Sequence, residues 1–186
     1  MKILFVAMNE YRLWAAPRAA ELLARRQPGR FELRVYRVAD VNADSALERR
    51  LLEDCGWADF AVLASHGSIQ ALGCFAGVWE RLAGKKPVFF TTTMADELAE
   101  LTPALGMSPA VYSELLAYFQ AGTPEDLAQL ILCAANACFG GAYPLQPPCQ
   151  RRCDFVVFRR TGNVEKWRVR VYSLCIIILA VFVRQA

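Results

Sequence analysis

Four short, almost uninterrupted apolar runs, each leading into a helical pattern, constrain this chain more than any other feature. Lys2 to Met8 opens the chain with Ile-Leu-Phe-Val-Ala and reads as a buried strand. Phe31, Leu33, Val35, Tyr36 and Val38 form a second, partly alternating strand. Asp59 to Ala64 is a third, and Val88-Phe-Phe-Thr-Thr92 a fourth. The segments between them carry helical spacing. Leu13, Ala16, Ala20, Leu23 and Ala24 do so within Tyr11 to Arg26, where Pro17 suits a first helical turn and predicts the start of the helix. Ala43 to Asp54 repeats the pattern through Ala46, Leu47, Leu51 and Leu52, with Glu48, Arg49, Arg50 and Glu53 as a solvated face. A further helix is expected over Cys74 to Leu82. Strands that are apolar on both faces need cover on both faces. The βαβαβαβ order therefore predicts an α/β fold, an open doubly wound parallel sheet of about four strands in the order 2-1-3-4.

A helical hairpin is expected next. Ser108-Pro109 supplies an N-cap and a proline in the first turn, and Gly122 a left-handed stop. Thr123-Pro-Glu-Asp126 starts a second helix, whose Leu127, Leu130, Ile131, Ala134 and Cys138 face inward. Tyr143-Pro-Leu-Gln-Pro-Pro148 reads as an extended exit linker.

The charge changes abruptly at that point. Residues 1–148 hold 13 Lys+Arg against 16 Asp+Glu, and residues 149–186 hold 8 against 2. Two domains follow from this: an α/β domain over 1–148, and an atypical tail over 149–186 that is basic and then apolar. Val171 to Val183 is too short for a bilayer span, which needs about 20 residues, so a membrane partner is not expected. The small overall charge of +3 gives no reason to expect nucleic acid. Met1 to Met8 lacks the hydrophobic core and cleavage site of a signal peptide, and the seven cysteines have irregular spacing. A reducing, cytoplasmic setting with free thiols follows.

With strand order 2-1-3-4, the crevice where ligands bind lies between the ends of the first and third strands. Asn9 and Glu10 would line one side of it, and Ser65, His66 and Gly67 the other. These five are the candidate ligand-binding residues; no catalytic residue is named. Asp96, Glu97, Glu100 and the Thr91-Thr-Thr93 run follow the fourth strand, where they could face a ligand, although acids after a strand usually cap or solvate a helix. There is no Gly-x-Gly-x-x-Gly after the first strand, no phosphate-binding Gly-x-x-x-x-Gly-Lys loop and no nucleophile elbow. Cys149 and Cys153 have no second pair to complete a zinc site, so no metal site is expected.

Residues about 58–148 resemble the N-terminal region of the cobaltochelatase large subunit (the CobN family), which is related to the magnesium chelatase H subunit. The resemblance rests on Asp59-Phe-Ala-Val-Leu-Ala-Ser-His66-Gly67, Lys86-Pro-Val-Phe-Phe90, Glu97-Leu-Ala-Glu-Leu-Thr102, Tyr118-Phe-x-x-Gly122-x-x-Glu125-Asp126-Leu127, and the Tyr143–Pro148 exit, in that order. Thr123 and Asp126 depart from the family's glycine and asparagine. The resemblance implies a part in inserting a divalent metal, the substrate, into a tetrapyrrole for cobalamin biosynthesis. It also implies ATP hydrolysed by separate AAA+ subunits, with no cofactor resident in this chain.

The family's catalytic body has no counterpart here, so a non-catalytic fragment is expected. The family pattern is also lost at Cys149-Gln-Arg-Arg-Cys-Asp154, which suggests a truncated or frameshifted reading frame. The alternative is a stand-alone flavodoxin-like binding or regulatory domain tethered to a membrane by its tail.

Overall fold

From Ile3 to Ala7 every side chain of the first strand is buried, and so is every side chain from Phe60 to Ala64. Such strands can only be central. The computed structural model describes residues 1–8, 10–149, 154–158 and 164–168. Its elements in chain order are β1 (Lys2–Ala7), α1 (Glu10–Arg26), β2 (Glu32–Arg37), α2 (Val38–Ala43), α3 (Ser45–Trp57), β3 (Phe60–Ala64), α4 (Phe75–Leu82), β4 (Val88–Thr91), α5 (Ala95–Leu101), α6 (Pro109–Ala121), α7 (Pro124–Phe139), β5 (Asp154–Phe158) and β6 (Val164–Arg168). The first four strands form one sheet in the order β2-β1-β3-β4, parallel throughout, as the apolar runs predict.

Alternate residues of these strands feed two cores. Ile3, Phe5, Phe60, Val62 and Phe89 pack beneath α1, α6 and α7. Leu4, Val6, Ala61, Leu63, Val88 and Phe90 pack beneath α2 to α5. Each fully buried side chain of this size contributes about 1.5–3 kcal/mol. The first core is tight: the gap between Phe5, Ala16, Leu33 and Ile131 holds only about 10 Å³.

The helical hairpin forms as its caps dictate. The Ser108 hydroxyl accepts from the Val111 amide at 3.3 Å. Gly122 closes α6 in the left-handed region at φ 68°. Thr123 Oγ1 accepts from the Asp126 amide at 3.0 Å, and the Asp126 carboxylate accepts from the Thr123 amide at 3.0 Å, a complete capping box. The Arg12 guanidinium lies over the Phe119 ring at 4.3 Å and against the open face of Gly122.

Three expectations are corrected. Helix α1 begins at Glu10, not at Pro17, and runs through that proline. Pro17 is exposed, so the lost amide falls where no core packing depends on it. A short helix, α2, follows β2 at once, and Val38 belongs to it, not to the strand. The Tyr143–Pro148 segment is extended but is no free linker. Asn136 brackets Tyr143 with two hydrogen bonds of 2.8 Å, the Tyr118 hydroxyl donates to the Gln146 carbonyl at 2.8 Å, and the Gln146 amide donates to buried Gln129 at 3.1 Å. The Tyr143 ring also rests 5.4 Å from that of Phe31.

The chain divides into two compact units, Met1–Pro148 and Cys149–Ala186. In the second, β5 and β6 pair antiparallel, with Asp154 opposite Arg168 and Phe158 opposite Val164. The sequence reading placed no strands there. The apolar stretch from Val171 to Val183 lies outside the described residues. Among the described residues no helix is long and apolar enough to cross a membrane.

Candidate functional site

The carboxyl ends of β1 and β3 lead to helices on opposite faces of the sheet, so the chain diverges between them. The ladder continues one residue past each strand: the Met8 amide donates to Ala64 O at 3.1 Å and the Ser65 amide to Thr91 O at 2.8 Å. The Ser65 hydroxyl then lies 2.7 Å from the Gly67 carbonyl and 3.1 Å from the Met8 sulfur. Gly67 takes φ 99°, a backbone state that side-chain-bearing residues rarely adopt, and this turns the chain sharply out of β3.

That turn is fastened from the β4 side. Thr92 Oγ1 donates to Gly67 O at 2.7 Å, and the Gly67 amide donates to Thr93 Oγ1 at 2.9 Å. Directly after it, the Ser68 hydroxyl donates to Glu97 Oε1 at 2.7 Å and the Ile69 amide to Glu97 Oε2 at 3.1 Å. Partial burial works to raise the pKa of Glu97. The hydrogen bonds from Ser68, Ile69, Thr92 and Gln70 outweigh it and hold the carboxyl below its ordinary range.

Ser65, His66 and Gly67 thus stand together at the strand end. His66 is exposed on the fastened turn, and among the described residues its ring accepts or donates no hydrogen bond. Asn9 lies outside the described residues, as does the side chain of Glu10. Glu97, Thr92 and Thr93 bind the turn across 25 to 29 residues of sequence. From the sequence Glu97 reads as a capping or solvated acid, and the threonines carry no structural role there. The run of threonines directly after a buried strand was the available signal.

The arrangement presents an exposed imidazole on a rigid loop. Ser65 bonds to a carbonyl and a thioether, and Ser68 caps the turn after it by accepting from the Gln70 amide at 3.1 Å. Ser65 faces no base; Ser68 donates to the Glu97 carboxylate, whose depressed pKa makes it a weak base. Among the described residues no three His, Cys, Asp or Glu side chains are grouped to hold a metal ion.

A second feature was not foreseen. A groove of about 370 Å³ follows β2, lined by Arg34, Val35, Tyr36, Arg37, Asp40 and Arg50 among others. Behind it the buried Asp54 carboxylate pairs with Arg34 and accepts from the Tyr36 hydroxyl at 2.7 Å. Burial pushes the Tyr36 pKa up, and the bond to Asp54 adds to this. Arg34 also stacks on the Trp57 ring at 3.9 Å, and Arg37 pairs with Asp40.

No protein-family model and no curated protein matches the sequence. Among solved structures, one described as the catalytic subunit of cobaltochelatase from Mycobacterium tuberculosis is similar in fold, with a TM-score of 0.59 and 16% sequence identity. The similarity covers 87% of this chain and 12% of that one, so the chain spans about an eighth of the length of the subunit it matches.

Proposed function

We propose that this chain is an N-terminal α/β piece of a cobaltochelatase-type large subunit, non-catalytic by itself, that helps form the wall of a tetrapyrrole cleft. The observation that carries the reading is the fold likeness to a cobaltochelatase catalytic subunit over 87% of the chain. The order of the motifs from Asp59 to Pro148 supports it independently of the coordinates. In this reading the strand-end turn bearing Ser65, His66 and Gly67 meets the macrocycle, and Asn9 and Glu10 take part with it. ATP is spent by AAA+ partner subunits, and the divalent metal is substrate.

The test is a titration of the purified chain with a metal-free tetrapyrrole, followed by tryptophan fluorescence, beside a metal-insertion assay with cobalt or magnesium and ATP. Saturable quenching without insertion is expected. Metal insertion by the chain alone overturns the reading. So does a failure to bind both the macrocycle and a chelatase AAA+ subunit.

A further inference from the structure

We propose that His66 is an axial ligand to the metal of a metal-loaded tetrapyrrole, so that the strand-end site holds the product of insertion in preference to the metal-free substrate. This rests on the macrocycle contact proposed above and names the group that tells the two macrocycles apart. His66 is the sole histidine of the chain and is exposed. Among the described residues no hydrogen bond engages its ring. A neutral imidazole keeps one nitrogen lone pair, and imidazole is the commonest protein ligand to metals, the iron of a haem macrocycle included.

The turn that carries the ring is held from both sides. Thr92, Thr93 and Glu97 fasten Gly67, Ser68 and Ile69 from beyond β4. From α2, the Asn42 side-chain amide donates to Ala71 O at 2.7 Å, and its oxygen accepts from the Gly73 amide at 2.9 Å. A backbone fixed in this way is ordered before any ligand arrives, so little ordering cost falls on binding. Thr92 Oγ1 also accepts from the Met94 amide at 3.1 Å, which ties Met94 to the same network. Met94 is a large apolar side chain left 50% exposed. An exposed imidazole and an exposed apolar side chain on joined turns suit a flat metal complex, with one group for the metal and one for the ring.

The ligand bond decides the preference. The centre of a metal-free macrocycle accepts no lone pair, so the imidazole gains nothing there. Once the metal is in place, one His66 nitrogen forms a bond to it and displaces one axial solvent molecule, with no electron transferred. The other ring nitrogen stays in water, which supplies its hydrogen-bond partner. Substrate and product are then told apart by one interaction that only the product can make.

The test titrates the whole chain with one water-soluble porphyrin, metal-free and as its cobalt(II) complex. Tryptophan quenching reads the affinities, and electron paramagnetic resonance of the cobalt(II) complex, with oxygen excluded, reads the axial ligand. The cobalt form is expected to bind at least about tenfold tighter, and its cobalt lines to show the splitting from a single axial nitrogen. His66→Ala, a change at an exposed position, should lose that splitting and bring the two forms to equal affinity. A sulfur ligand such as Met94 or Cys149 would give no nitrogen splitting and would overturn the proposal. So would a splitting that survives in His66→Ala. Equal binding of both forms without the splitting overturns the axial ligand and leaves the macrocycle contact standing, whereas binding of neither form overturns both.

Discussion

Lys86 closes the end of α3, and replacing it should cost more than any other surface lysine in the described fold. Its ammonium donates to the carbonyls of Cys55 at 2.8 Å, Gly56 at 2.7 Å and Ala58 at 2.5 Å. The last carbonyls of a helix lack donors from their own helix, and the partial negative charge there favours a cation. A hydrogen bond to a charged group contributes about 1.5–3 kcal/mol. Water can replace the donor at exposed Gly56, while the carbonyls of Cys55 and Ala58 are partly shielded. Lys86→Met keeps the stem and removes all three bonds. Returning the side chain's rotamer freedom offsets part of the loss, which leaves about 2–3 kcal/mol destabilisation. At this chain length that lowers the melting midpoint by roughly 4–12 °C.

The control is Lys85→Met. Lys85 reaches only the exposed Glu80 carbonyl, at 2.6 Å. Urea unfolding followed by circular dichroism should shift its midpoint for Lys86→Met with unchanged slope. If the two variants agree within about 0.5 kcal/mol, the assignment of Lys86 as the cap of α3 is refuted.

Three further outcomes are expected. Glu97→Gln should cost about 1 kcal/mol at neutral pH by weakening the bonds from Ser68 and Ile69. Because the folded-state pKa of Glu97 is depressed, its contribution is present above the ordinary carboxylate range and lost as pH falls through the folded value. The deficit, measured by urea titration, should therefore shrink as pH drops from about 5 to about 3; a constant deficit would show that the charge is not what counts. Gly67→Ala should destabilise more than Gly122→Ala by thermal melting. Gly122, at φ 68°, sits in the left-handed well that a side-chain-bearing residue holds at a cost of about 1–2 kcal/mol, and a Cβ there meets only the movable end of Arg12, whereas Gly67, at φ 99°, lies beyond that well. Burial pushes the thiols of Cys55 and Cys133 up to about 12, so mass spectrometry after brief alkylation of the native chain should find exposed Cys149 labelled and those two protected until denaturant is added.

What could be read from the sequence was what local chemistry decides. Ile3–Ala7 and Phe60–Ala64 are apolar at every position, and that alone fixes them as central parallel strands. Ser108-Pro109, Gly122 and Thr123-Pro124 mark helix ends with groups that act within four residues. Asp126, a departure from the resembled family's asparagine, closes the capping box itself. What escaped was decided at long range. The contacts of Asn136, Gln129 and Tyr118 with the exit segment span 7 to 28 residues. Thr92 and Glu97 reach the His66 turn from another strand's end. Helix α1 runs past Pro17 because tertiary packing of Ala15, Ala16 and Ala19 outweighs one missing amide. The β2 groove is assembled from β2 together with Asp40, Val41, Leu47 and Arg50 of the two helices that follow it.

The strap from Tyr143 to Gln146 sets how little of this chain can stand alone. A version stopped at Gly141 would keep every helix and strand of the first unit, yet the Gln129 amide oxygen, on a side chain only 3% exposed, would lose the Gln146 amide that answers it. Phe31 would lose the tyrosine ring that shelters it. An unanswered buried acceptor costs about 1–3 kcal/mol, a sizeable share of a domain's margin. The self-sufficient module ends beyond its last helix, and trimming it at the final turn of α7 would yield a weaker protein that still shows the full helical signal.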